Sequence, residues 1–69
     1  MSSPPERVRT LLLRADNVLK NEGDEADRER RAREALTEAL EVAQDPAVDA
    51  RVRELVERRL SALDQLEEA

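Results

Sequence analysis

Carboxylates and guanidinium groups are the chemically active side chains this sequence offers. Glu34, Glu38 and Glu41 recur at i, i+4 and i+7, which places them on one side of a helix, and Glu54 and Glu57 repeat the arrangement further on. Converging carboxylates hold divalent cations, but acidic faces of this kind are ordinary on solvated helices, so no metal is assigned to them. Histidine, cysteine and the aromatic residues are all absent. The chain therefore lacks the common side chains for proton transfer, covalent attack and soft metal ligation. It also lacks the rings on which bases stack. Ser2, Ser3 and Ser61 have no base to activate them, and Gly23 stands alone where a phosphate loop needs several glycines. The expectation is a non-enzyme with no catalytic residue, no cofactor and no small-molecule substrate.

Arg28, Arg30, Arg31 and Arg33 form the densest basic cluster. They point to different sides of a helix, and Asp27, Glu29 and Glu34 interleave with them. Pairs such as Glu29–Arg33 and Arg30–Glu34 at i, i+4 make this a mixed, solvated face. Seventeen acids against twelve bases give a net charge of -5 and a pI near 4.7, opposite to the usual footprint of a nucleic-acid binder. Direct nucleic-acid binding through Arg28–Arg33 is thus the weaker reading and none is expected. The acidic balance leaves a second possibility, a regulator that occupies the basic site of a nucleic-acid-handling protein.

The elements that carry these groups are helical. Two breaks, Asn21-Glu22-Gly23-Asp24 and Gln44-Asp45-Pro46, divide the 69 residues into three segments of one small domain. The first helix is expected over about 4–21. Ser3 and Glu6 have capping-box spacing, Pro4 and Pro5 fit the first turn, and Gly23 suits a left-handed close. Val8, Leu11, Leu12, Ala15, Val18 and Leu19 form its stripe. The second is expected over 24–44, with Asp24, Glu25 and Asp27 at its positive end and Ala32, Ala35, Leu36, Ala39, Leu40 and Ala43 as its stripe. Residues 27–33 are weakly amphipathic but contain nothing that breaks a helix. The third is expected over 46–67, capped by Asp45 with Pro46 in the first turn; its stripe includes Val48, Val52, Leu55, Val56, Ala62, Leu63 and Leu66.

No sustained alternation indicates a strand. Short connections make successive helices antiparallel, so the fold class is all-α, an up-down-up three-helix bundle spanning residues 1–69. Pairing across Asp45-Pro46 would set Ala43 by Val48, Leu36 by Leu55 and Ala32 by Arg59. Arg59 lies within an apolar stripe, and that register suggests a rim ion pair between Glu29 and Arg59. The alternative is that Arg59 lays its stem on the core and reaches water.

With enzymes and nucleic acid set aside, contact with protein remains. The core is aliphatic only, with ten Leu, six Val and ten Ala, and a lone core of this size supplies about 3–5 kcal/mol. Leu13 leaves the first helix about 140° from Val8. It is either a solitary exposed leucine or the anchor of a partner contact flanked by Arg9 and Lys20; burying it would contribute about 1.5–3 kcal/mol. The partner is expected to be protein, either a second copy or another chain. No apolar run reaches membrane-spanning length, the longest being Leu11-Leu12-Leu13, so no membrane partner is expected. The start Met-Ser-Ser-Pro-Pro-Glu has no secretory pattern and cysteine is missing, which fits the cytoplasm.

Residues 12–46 resemble a tetratricopeptide repeat. Leu12, Ala15 and Leu19 match the packing positions of its first helix, and Gly23-Asp24 matches its turn. Ala32, Leu36 and Ala39-Leu40 match its second helix, and Asp45-Pro46 its closing proline. Aliphatic residues stand at its aromatic positions, about one extra turn precedes Ala32, and Pro46 comes two residues late. The resemblance covers about half the chain. It implies a scaffold presenting a helical groove to a peptide or partner helix, with residues 47–66 as the packing helix, since one repeat cannot bury its own face.

Overall fold

Ser3 opens the first helix. Its side-chain oxygen accepts a hydrogen bond from the Glu6 N–H (3.3 Å), with Pro4 and Pro5 in the first turn where no N–H is needed. This helix, α1 (Pro4–Lys20), is followed by α2 (Glu25–Ala43) and α3 (Ala50–Glu68) in the computed structural model, which describes residues 3–21 and 23–68. Ser2 and Glu22 lie outside the described residues. Together the three helices form the antiparallel up-down-up bundle expected from the sequence, with no strand among the described residues.

The connection from α1 to α2 uses three devices. Asn21, in extended conformation, donates its N–H to the Asn17 and Val18 carbonyls. Gly23 follows with φ +146°, a region that side chains with a Cβ rarely enter, so the glycine serves the link rather than the last turn of α1. Asp24 then caps α2 by accepting from the Ala26 N–H (3.2 Å). Residues 27–33 are helical throughout.

The start expected for the third helix, at residue 46, needs correction. Asp45 does cap, but it caps a separate turn: the Ala47 N–H donates to its side chain (2.8 Å) and the Val48 N–H to its carbonyl (2.9 Å). Four residues later Asp49 repeats the device for the real helix, accepting from the Arg51 N–H at 2.8 Å. An aspartate competes with helix by bonding nearby N–H groups, so the second capping aspartate delays the helix that the first one announces. The turn also presses Val48 into the core.

That delay shifts the register of α3 against α2. Asp64, not Arg59, meets the α2 level of Ala32 and Arg33, where it pairs with Arg33. Leu36 adjoins Ala62 and Leu63 rather than Leu55.

The core is Val8, Leu11 and Ala15 of α1, Ala32, Ala35, Leu36, Ala39 and Ala43 of α2, Val48 of the turn, and Val56 and Leu63 of α3. Four of the five buried residues of α2 are alanines, so Leu36 is that helix's one large fully buried side chain, with Leu40 and Val42 packed against the core part-buried. The Cα framework measures 35 × 24 × 13 Å. Three helices side by side at about 10 Å spacing give a width near the middle figure. α2 accordingly sits between its neighbours, packed most extensively on α1 and less on α3. The flanking helices approach one another mainly through side chains.

Candidate interaction cleft

Parallel α1 and α3 form the walls of a cleft over α2. One end is lined by Pro5, Arg9 and Leu12 of α1 with Ala47, Val48 and Asp49 of the turn and Val52 and Leu55 of α3. The other is lined by Ala15 and Leu19 of α1, Leu36 of α2 as floor, and Ala62, Leu63 and Leu66 of α3. Between the two ends, Arg59 of α3 pairs with Asp16 of α1, both half-buried. The bridge spans the cleft and splits it into hollows of about 290 and 260 Å³. Each is smaller than the usual small-molecule site of about 300–1,000 Å³, and each has room for the apolar side chains of a docked helix.

The exposed large apolar residues among those described are Leu13, Leu19, Leu55 and Leu66, at 56%, 39%, 39% and 59% of full exposure. Three of them line this one cleft. The sequence stripes placed Leu19, Leu55 and Leu66 in the core, and that expectation is corrected: the alanine face of α2 is too narrow to cover both flanking stripes. A clue was legible, since the second helix carries far fewer large side chains than its neighbours.

Leu13 leaves α1 away from the core, as its wheel position indicated. It lies in a shallow surface lined by Thr10, Arg14, Asn17, Val18 and Asn21, all from α1 or its cap. Arg9 faces the cleft instead, and Lys20 is exposed. The Glu29–Arg59 ion pair is also corrected: Arg59 reaches α1 and Asp16, because the shifted α3 carries it away from the Glu29 level. No sequence signal named Asp16, which lies 43 positions from Arg59. An arginine within an apolar stripe did mark the place.

Residues 28–33 are occupied within the fold. Arg28 donates to the Asn21 carbonyl (2.7 Å) and the Leu19 carbonyl (3.5 Å), a cation at the negative end of α1. Arg30 and Arg31 both pair with Asp27, and Arg33 pairs with Asp64. The Asp27 hydrogen bond and charge, with a smaller contribution from Glu34, raise the Arg30 guanidinium above its ordinary pKa. Glu34, Glu38 and Glu41 stay exposed on the outer side of α2. Among the described residues, no group of three acidic side chains is placed to hold a metal ion, and no helix is long and apolar enough to cross a membrane.

Comparison with known proteins adds no family. The chain matches no protein-family model, and neither curated proteins nor solved structures show significant similarity to it.

Proposed function

We propose that this protein is a small non-catalytic interaction module that buries the α1–α3 cleft against protein, either a second copy or a helix of another chain. The observation that carries the reading is the collection of Leu19, Leu55 and Leu66 along one concave line. Helix-in-groove recognition needs such a row of apolar anchor sites. Leu13, which faces away from the core and lies outside the cleft, is a separate candidate contact flanked along the helix by Arg9 and Lys20, and docking in the cleft does not require it. The resemblance of residues 12–46 to a tetratricopeptide repeat, which implies a helical groove for a peptide or partner helix, supports the same reading.

The arginines of residues 28–33 already hold partners inside the fold, which weighs against direct nucleic-acid binding. The exposed Glu34, Glu38 and Glu41 favour the second reading, an acidic surface that occupies a basic protein site; nucleic acid would then compete with the partner. Of the two, the cleft reading has apolar area behind it.

The test combines sedimentation over a concentration series with co-purification from the protein's own cells, comparing the native chain with Leu55→Ser and Leu66→Ser. Association that both substitutions weaken supports the reading. A native chain that stays monomeric and retains no protein that the variants lose defeats it.

A further inference from the structure

The rim of the cleft is basic although the chain is acidic. Arg9 lines one hollow directly. Lys20 stands one turn beyond Asp16 on the same side of α1, and Arg51 and Arg58 stand one turn either side of Leu55 on α3. All four are exposed, and none forms an ion pair among the described residues. Two acidic groups line the cleft: Asp16, which is paired with Arg59, and Asp49 at one end, whose carboxylate accepts the Arg51 N–H at the start of α3. Glu6 and Glu54 lie a further step out on the two helices. The unpaired acids of α2, by contrast, face the far side of the molecule.

We propose, resting on the docking reading above, that the cleft binds an amphipathic helix of another protein whose apolar stripe is flanked by acidic residues. The hollows are centred about eight residues apart along α1, or about 12 Å at a rise of ~1.5 Å per residue. A partner helix spans that distance between large apolar side chains at i and i+8, or nearly so at i+7. Those anchors fill the two hollows on either side of the Asp16–Arg59 bridge. Its flanking carboxylates then meet Arg9, Lys20, Arg51 and Arg58. Charge complementarity of this kind sets both partner choice and register.

The same charges argue against a second copy as occupant. Two clefts face to face would bring one basic rim against another. The outer face of α2 offers Glu34, Thr37, Glu38 and Glu41, with no large apolar anchor. Leu13 is the remaining exposed large apolar residue among those described, and Arg9, Arg14 and Lys20 surround it along α1. Among the described residues, neither of these two surfaces combines an apolar stripe with acidic flanks.

Calorimetry with two synthetic helical peptides of about 18 residues, or ~27 Å, tests the proposal. Both carry leucines at i, i+4 and i+8; glutamates flank the stripe in one and lysines in the other. At low salt the glutamate peptide is expected to bind at least about tenfold tighter, equivalent to ~1.4 kcal/mol. Salt near 1 M, where screening acts within about 3 Å, should shrink that ratio. The double variant Arg9→Glu/Arg58→Glu should reverse the order, and Leu66→Ser should weaken both peptides, each variant retaining native helicity by circular dichroism. Equal or tighter binding of the lysine peptide overturns the proposal, as does absence of binding by the glutamate peptide. Equal binding of both, lost in Leu66→Ser, removes the charge selection but leaves the docking cleft standing. Peptide failure together with concentration-dependent self-association removes the acidic partner and retains the broader reading.

Discussion

Replacing Leu36 with alanine should nearly unfold this protein. Leu36 is 2% exposed and is the one large side chain among five buried residues of α2. The substitution removes about three methylene-sized groups, worth ~0.8 kcal/mol each or ~2.4 kcal/mol together. A cavity term adds to this, and buried Leu→Ala changes cost about 2–5 kcal/mol overall. Leu36 also floors the hollow between Leu19 and Leu66, so part of the vacated space opens to water and the enclosed cavity is small. The loss therefore falls at about 2–3 kcal/mol, against a total of about 3–5 kcal/mol for a core of this size. With a urea m-value near 1 kcal/mol/M, the midpoint should fall by about 2–3 M. Circular dichroism at the helix band provides the readout, since the chain has no aromatic residue for fluorescence. Leu13→Ala makes the same chemical deletion at an exposed site and should move stability by less than about 0.5 kcal/mol. A fall below about 0.5 M for Leu36→Ala, or equal falls for both variants, would refute the assigned core.

Three further outcomes follow from the geometry. Asp49→Ala should cost about 1 kcal/mol, within a cap range of about 0.5–2 kcal/mol, and should fray the start of α3; amide exchange at Arg51–Arg53 that stays unchanged would contradict the cap. A double-mutant cycle on Asp16 and Arg59 should give a coupling of about 0.2–1 kcal/mol, because both groups are part-exposed, whereas a cycle on Glu29 and Arg59 should give none. Gly23→Ala should destabilise by about 1–2 kcal/mol through backbone strain alone, since an added Cβ meets no atom within 4 Å; unchanged thermal midpoints would show that the link adopts another conformation.

The helices and their order were legible because caps and stripes are local signals. Ser3 and Asp24 act as their positions suggested, and Val8, Leu11 and Ala15 are buried as their spacing indicated. The start of α3 was not legible: Asp45-Pro46 and Asp49 both have capping chemistry, and only the packing of Val48 between them decides which one begins the helix. The cleft was hidden for a related reason. A stripe shows which side chains prefer to leave water, while the width of the neighbouring helix face decides which ones succeed. Leu19, Leu55 and Leu66 belong to their stripes and still stay partly in water because α2 covers only the inner part of each stripe. The Asp16–Arg59 bridge joins helices not adjacent in sequence, so its partner depended on a register that local spacing does not determine.

The docking reading is tested most directly by methyl resonances of leucine during titration with the glutamate-flanked peptide. Signals of Leu12, Leu19, Leu55 and Leu66 should shift together and saturate at one equivalent, while those of Leu13 and Leu40 stay in place. Shifts confined to Leu13, or spread evenly over all the leucines, would contradict an account in which the α1–α3 cleft is the binding surface.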